Sequence, residues 1–389
     1  MTDSDEIIER EKRYEAVFSK KPLPIVDGDG AYVYDDEGNE YIDMGASYGV
    51  MGVGHSNPEV VEAVEKQASA FTYAQASYAT PERGDLMEAL MDATPDALDR
   101  LFLANAGTEA NEAAMKFARG STDADSTGIV AAKRGFHGRT YGSISATWKS
   151  KYSEPFAPVV PDYGFAAYND AEELKETVDD ETALVLLEPI QGEGGIYPAD
   201  PEYLGAARDL CDDHGAYLVF DEIQAGMGRT GKMWSHEHYD VTPDAITTAK
   251  SLGGGLPISA IVCTEEMTDI PKGSHGGTYC GNPVAVAAAR AAVEYTVEND
   301  LPENAAHAGE RLVAGVEGID TDRVVDVRGE GLMIGIQVRG RAGRYLSGLA
   351  REGVLGLTAG TNVIRFLPPL ILEDEHVDAV VDALAEVFE

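Results

Sequence analysis

The chain has 389 residues, 44% of them hydrophobic, enough for a large buried core and more than one structural unit. It carries 68 acidic against 30 basic residues, a net charge of -38, and such a surface repels phosphate and argues against nucleic acid as a partner. No apolar run approaches the ~18 residues of a membrane span, the acidic stretch 1–10 does not look like a leader peptide, and Cys211, Cys263 and Cys280 are too scattered for a disulfide frame or a zinc site.

The thiols predict a reducing cytoplasm. The acids are spread along the chain rather than gathered in a tail, which predicts a folded surface suited to high salt, where screening quenches self-repulsion. An unfolding midpoint that stays fixed between low and molar salt would exclude that reading.

Residues 1–20 read as a polar helix. Tyr32-Val33-Tyr34 and Tyr41-Ile42-Asp43 flank Asp35-Asp36-Glu37-Gly38-Asn39 and predict a hairpin. The glycine-rich stretch 45–55 carries Tyr48. Pro58 opens a helix with Val60, Val61, Val64 and Ala68 as its apolar stripe.

From residue 100 apolar runs alternate with helical segments. Leu101–Leu103, Ile129–Ala132, Ala183–Leu187, Tyr217–Asp221 and Ser259–Cys263 read as strands. Helices are predicted from Thr108, as a cap, to Gly120, from Pro201 to His214, and from Pro283 to about 297. The pattern predicts an α/β fold with a mostly parallel, doubly wound sheet. The runs 324–327, 332–336 and 363–366, between helices, predict a smaller α+β domain. The expected division is an N-terminal segment, 1–45, packed with the small domain, a large domain, 46–283, and the small domain, 284–389.

Residues at the carboxyl ends of such strands line the ligand crevice. Asp221 ends one strand, and Lys250 follows the next apolar run, in Ala249-Lys250-Ser251-Leu252-Gly253-Gly254-Gly255. A carboxylate and an amine delivered there suit pyridoxal 5'-phosphate (PLP): the amine forms a Schiff base and the carboxylate keeps the pyridinium protonated. Taken alone, Asp221 is an acid at a turn and Lys250 a surface lysine, so the pairing rests on the other motifs.

Gly107-Thr108, at a strand-to-helix turn, suits an anion. Phe136 is placed to stack on a planar ring or to join the core. Arg139 and Arg365 are suited to gripping carboxylates. Glu193 lies in the glycine setting 192–195, a solvated turn acid or a partner for an arginine. Gly226-Met227-Gly228-Arg229-Thr230-Gly231 matches a dinucleotide fingerprint, but no clear helix follows it and no acid stands at the right distance after a second strand. A nicotinamide dehydrogenase is therefore the runner-up of a different class, and a non-catalytic binding protein a third.

Together, the chain resembles class III, fold type I, PLP-dependent aminotransferases over nearly its whole length. The resemblance is carried by Ala106-Gly107-Thr108-Glu109-Ala110-Asn111, Gly135-Phe136-His137-Gly138-Arg139, Glu188-Pro189-Ile190-Gln191-Gly192-Glu193-Gly194-Gly195, Phe220-Asp221-Glu222-Ile223-Gln224 through Gly231, the Lys250 motif, and Gly277-Thr278-Tyr279-Cys280-Gly281-Asn282-Pro283. Within the class it is similar to the acetylornithine branch, and most to members acting on carrier-protein-bound glutamate or aminoadipate semialdehydes in arginine and lysine biosynthesis. Acetylornithine and other ω-aminotransferases on free small molecules, or an aminomutase, are the same-fold alternatives.

The resemblance implies that Lys250 is the Schiff-base lysine and the base of the proton shift. It implies that Asp221 holds the pyridinium, Gln224 the phenolic oxygen, Phe136 the ring face, and Gly107 and Thr108 the phosphate. Thr278 is implied to reach the phosphate of a neighbouring subunit in a homodimer with shared active sites. Arg139 and Arg365 are implied to bind the two carboxylates of glutamate, and Glu193 to neutralise Arg365 when the ω-amine substrate is present. Tyr48 and Gly277 are further expected substrate contacts. Ala106 replaces a usual Ser, and Gly277 a usual Ser or Thr. A small acidic amino-group carrier protein is the possible macromolecular partner, with Lys133, Arg134, Arg139, Lys149 and Lys151 as its basic rim.

Overall fold

The computed structural model describes residues 4–389. The start of the expected N-terminal helix and segment, residues 1–3, lies outside the described residues; the helix itself covers Ser4–Tyr14.

Seven strands form the central sheet: β1 (Arg100–Ala104), β2 (Gly128–Ala132), β3 (Tyr163–Ala166), β4 (Thr182–Leu187), β5 (Tyr217–Asp221), β6 (Ala245–Thr248) and β7 (Ser259–Cys263). Their order is β1-β7-β6-β5-β4-β2-β3. All run parallel except β7, which lies antiparallel between β1 and β6. Side chains alternate between the two faces. Leu218 and Phe220 enter one apolar cluster with Val185, Leu187, Ile246 and Val262, while Val219 enters another with Leu184, Leu186, Ala245 and Ile261. Both faces are covered, which is why these strands read as unbroken apolar runs rather than alternating ones.

The helix Gly107–Ser121 follows β1 and packs Ala113, Ala114 and Phe117 onto the second cluster. Its start differs from expectation. Ala106 is the extended residue before the first turn, with no side-chain cap, and Thr108 lies inside the helix. Gly120 also lies inside, so the helix ends at Thr122. Thr108 is thus freed from capping, and its hydroxyl meets Thr140 Oγ1 at 2.7 Å.

The helix Pro58–Ala70 is capped by Asn57, whose Oδ1 accepts from Glu59 N at 3.0 Å and Val60 N at 3.3 Å. Of its expected stripe, Val60 is buried and Val61 and Ala68 are exposed, while Gln67 takes a buried place by bonding the Phe71 carbonyl at 2.9 Å. A polar side chain with its own partner can occupy a position that pattern assigns to an apolar one.

Past the long helix Pro283–Glu298, Val324–Glu330, Met333–Val338, Val363–Phe366 and Leu357–Thr358 make an antiparallel four-stranded sheet. The N-terminal strands Asp27–Asp29, Tyr32–Tyr34 and Glu40–Asp43 are joined by Val354–Leu355, which runs parallel to Glu40–Asp43. Ile42 and Met44 share an apolar cluster with Ile334, Phe366 and Leu384, so the two ends of the chain stabilise each other. Among the described residues no helix is long and apolar enough to cross a membrane.

Candidate active site

The parallel strands deliver their carboxyl ends to one edge of the sheet, where a cavity of about 510 Å³ opens. Asp221 closes β5, Glu188 follows β4, and Lys250 comes two residues after β6. Gly107, Thr108, Phe136, Arg139, Glu193 and Gln224 line the same cavity.

Asp221 is held from behind. Its Oδ2 accepts from Asn111 Nδ2 at 2.8 Å and lies 2.8 Å from His137 Nδ1, and its Oδ1 accepts from Ile223 N at 3.1 Å. Thr247 donates to Asn111 Oδ1 at 2.7 Å, fixing the amide so that its nitrogen faces the acid. Burial works to lower the His137 pKa, but the hydrogen bond and charge of Asp221 outweigh it and raise it.

Lys250 sits at φ 46°, in the left-handed region. A non-glycine residue pays roughly 1–2 kcal/mol there, a strain sustained by the turn Lys250–Gly253. Burial lowers its amine to about 8, with the charge of Asp221 opposing and that of Arg365 adding to the fall. At that value roughly a tenth of the amine is unprotonated at pH 7, far more than for an ordinary lysine, and a nucleophile or base needs that neutral form.

One end of the cavity is a helix N-terminus, which suits an anion. In the first turn Glu109 and Ala110 donate to the Ala106 carbonyl, which leaves the amides of Gly107 and Thr108 directed outward. The Thr108 hydroxyl approaches so closely to Gly138, at φ 131°, that a side chain there would collide with it. An anion cradle at one end, an anchored carboxylate at the other, an amine of lowered pKa and the face of Phe136 between them fit PLP. Nothing in the Gly226–Gly231 run fits a dinucleotide: it forms turns against Trp234, Ala306 and Gly331, and no α-helix opens after it.

The class-III aminotransferase family profile matches residues 14–388. This chain belongs to the class-III aminotransferases. It is a PLP-dependent enzyme, and the dehydrogenase reading is overturned. The chain is 42% identical to an acetylornithine aminotransferase of Methanocaldococcus jannaschii over 98% of its own length and 97% of that protein's. It is 40% identical to a [LysW]-aminoadipate semialdehyde/glutamate semialdehyde transaminase of Sulfolobus acidocaldarius, over 95% and 96%. Among solved structures, the ornithine aminotransferase of Toxoplasma gondii superposes with a TM-score of 0.95 at 29% identity, covering 100% of this chain and 94% of that one. The acetylornithine aminotransferase of Elizabethkingia anophelis does so with a TM-score of 0.89 at 28% identity, covering 100% and 99%.

In this aminotransferase Arg365 is fully buried, and its Nη1 donates to Glu193 Oε1 at 2.6 Å, to the Gly192 carbonyl at 3.1 Å and to Gln224 Oε1 at 3.3 Å. Its Nε and Nη2 have no hydrogen-bond partner among the described residues. Burial alone would raise the Glu193 carboxyl; the charge and hydrogen bond of Arg365 hold it below the usual range instead. The Tyr48 ring lies 5.2 Å from the Arg365 guanidinium, in a segment where Ala46, Ser47 and Tyr48 all have positive φ. Arg139 is exposed at the mouth, 4.6 Å from the Tyr152 ring, with no carboxylate partner among the described residues.

Of the expected site residues, Arg365 meets this cavity through Glu193 and Gln224 and Tyr48 through Arg365, and two others lie apart from it. Thr278 is exposed, with its carbonyl bonded by Tyr73 at 2.9 Å, and Gly277 lines a separate hollow with Glu112 and His275. The expected basic rim also thins. Lys133 is paired with Glu173, and Lys149 donates to the Glu193 carbonyl at 3.1 Å.

Glu188 is the functional-site residue that sequence reasoning passed over. It is buried in the cavity wall and accepts from Phe136 N at 3.0 Å and Gly192 N at 3.3 Å. Burial pushes its carboxyl up to about 7, against the pull of His137 and with the charge of Asp221 adding to it. Its signal was available: like Asp221, it is an acid directly after an all-apolar strand.

Proposed function

We propose that this aminotransferase moves an amino group between glutamate and the ω-position of a glutamate or aminoadipate semialdehyde, N-acetylated or carried on a small protein, as in arginine and lysine biosynthesis. The observation that carries the reading is the ion pair at 2.6 Å between buried Arg365 and Glu193, which lines the cavity that Lys250 and Asp221 share. Glutamate and 2-oxoglutarate bring two carboxylates and need two cations, Arg365 inside and Arg139 at the mouth. An ω-amine chain brings no charge to Arg365, and a buried cation left unpaired is costly. Glu193 supplies that charge when the ω-amine substrate is bound and yields to a carboxylate when glutamate is bound.

PLP, when bound, supplies an aldehyde and an electron sink. Gly107 and Thr108 hold its phosphate, Phe136 covers its ring, Gln224 meets its phenolic oxygen and Asp221 keeps a proton on its ring nitrogen. Lys250 Nζ takes and returns the proton at the reacting carbon. Tyr48 borders the substrate, and Gly277, apart from its own cavity, does so only from the neighbouring subunit. The unit is a homodimer with shared sites, in which Thr278 serves the neighbour's phosphate; its exposure away from its own cavity supports this. PLP retained by the purified protein, and release of 2-oxoglutarate from glutamate in a single turnover, test the reading; failure of both would overturn it.

Glu193→Ala separates the half-reactions. Its loss leaves Arg365 open to carboxylates, so glutamate binds roughly tenfold tighter while the ω-amine half-reaction slows by about 10–100-fold, or ~1.4–2.8 kcal/mol. Single-turnover rates in each direction check it, and equal losses in both would remove the switch.

Carrier-bound substrate is the preferred acceptor in this reading. Arg134 and Lys151 are exposed beside Tyr197 and Tyr152, at 4.6 Å and 4.8 Å, and pair with no carboxylate among the described residues. They are cations available to an acidic carrier, because steering depends on local complementarity even where net charge opposes it. Arg134→Glu with Lys151→Glu is expected to lower kcat/KM for carrier-bound substrate by about tenfold at high salt and leave free acetylornithine unchanged. If both reactions fall together, or free acetylornithine is the better substrate in the wild type, the carrier has no part in recognition.

A further inference from the structure

The loop that presents Glu193 is rich in glycine, and a glycine chain has no intrinsic reason to hold one conformation. Its shoulders are fixed. On one side Gly192 N donates to Glu188, and Gly192 lies so close to Gln224 that a side chain there would collide with Oε1. On the other, Arg328 donates to the Gly195 carbonyl at 2.7 Å and lies 4.1 Å from the Tyr197 ring. Between the shoulders, among the described residues, no backbone group bonds the Glu193 peptide. Arg365 donates to the Gly192 carbonyl at 3.1 Å, and the one partner of the Glu193 carbonyl is Lys149, whose ammonium donates to it at 3.1 Å.

Lys149 is itself well placed to act as an anchor. The residue before it, Trp148, donates its backbone N–H to the Gly135 carbonyl at 3.1 Å and packs its ring edge-on against Phe165 at 5.2 Å. Thr147 accepts from His137 N at 3.0 Å and donates to the Ser143 carbonyl at 3.0 Å. The lysine therefore reaches the loop from a segment already tied to the wall that carries Phe136 and His137. Its ammonium forms no ion pair among the described residues, and its charge helps hold the Glu193 carboxyl down.

We infer that Lys149 is a positioning residue for substrate selection: by pinning the Glu193 carbonyl it holds the carboxylate against Arg365 and sets how readily that pair opens to an incoming dicarboxylate. The inference rests on the Glu193–Arg365 pair acting as the exchangeable gate. Opening then requires Glu193 to leave Arg365 while its backbone stays tied, so only the side chain turns. Without Lys149 the Glu193 carbonyl loses its one partner, the Glu193–Gly194 peptide is free to turn with the side chain, and the closed state loses that support. A cation that merely attracted dicarboxylates would act in the opposite direction, since its removal would weaken their binding.

The test is isothermal titration of the PLP holoenzyme with glutarate, a five-carbon dicarboxylate with no amine or keto group to react. Lys149→Met is expected to tighten glutarate binding roughly fivefold, about the worth of one hydrogen bond, while Lys149→Arg keeps wild-type affinity. In single turnovers Lys149→Met slows the ω-amine half-reaction and spares the glutamate one. Glu193→Ala tightens glutarate further, and adding Lys149→Met to it changes nothing more, because the lysine acts only through that side chain. Weaker or unchanged glutarate binding in Lys149→Met overturns the inference and leaves the gate intact, as does an equal effect with and without Glu193. Unchanged affinity in Glu193→Ala overturns the gate and the inference together.

Discussion

Replacing Lys250 by alanine is expected to reduce transamination by at least ~10⁴-fold, the upper range for a positioned acid–base group, while the folded protein still holds PLP. The loss is large because, among the described residues, no other lysine lines the cavity and the cations beside Glu193 are engaged. Arg365 is tied to Glu193, and Lys149 to the Glu193 carbonyl. Retention follows from the separation of tasks around the cavity: the amides of Gly107 and Thr108, the Phe136 face and the Asp221 carboxylate do not depend on Lys250 for their positions. The measurement is kcat for both half-reactions together with the PLP content after gel filtration. Full activity in Lys250→Ala would refute the assignment of this residue.

Asp221→Asn is expected to slow both half-reactions by about 10³-fold, or ~4 kcal/mol of transition-state stabilisation, with the fold preserved. A neutral amide cannot hold a proton on a pyridine nitrogen as a carboxylate does, and an unprotonated ring is a poor electron sink. The local cost is small beside this. The amide oxygen can accept from Asn111 and His137 in place of Oδ2, but the new NH₂ then faces the Ile223 N–H, donor against donor. That mismatch costs about 1–3 kcal/mol. A second readout is independent of turnover. The His137 pKa is raised because Asp221 outweighs its burial, so in Asp221→Asn it falls, and an NMR titration of that ring follows it. A rate within a few-fold of the wild type would count against Asp221 as the ring-nitrogen partner.

Each residue that reached the cavity as expected was legible for a local reason. Asp221 and Lys250 directly follow apolar strand runs, and Gly107-Thr108 joins a strand to a helix. In a parallel sheet every such position falls at the same edge, whatever the order of the strands. Glu188 obeys the same rule, but Glu193, five residues on in a glycine-rich loop, carries the more conspicuous signal. The expected cap at Thr108 fails because a hydroxyl before a helical run looks the same whether it bonds its own helix or, as here, Thr140 on another segment.

Sequence by itself thus determined the strands of the sheet and the residues at its carboxyl edge, because these depend on periodicity and on residues adjacent in the chain, while the class of cofactor followed from the motifs that carry the resemblance. Strand direction was decided only in three dimensions: Ser259–Cys263 is apolar throughout and reads the same either way, yet it runs antiparallel to β1 and β6. So were the pairings that tune the site. Arg365 and Glu193 lie 172 residues apart, Asp221 and Asn111 110 apart, and Glu193 and Lys149 44 apart. No spacing rule links such residues. Their meeting is set by how the chain packs its apolar faces, and the polar groups that this packing buries must then find partners among whatever it has brought within reach.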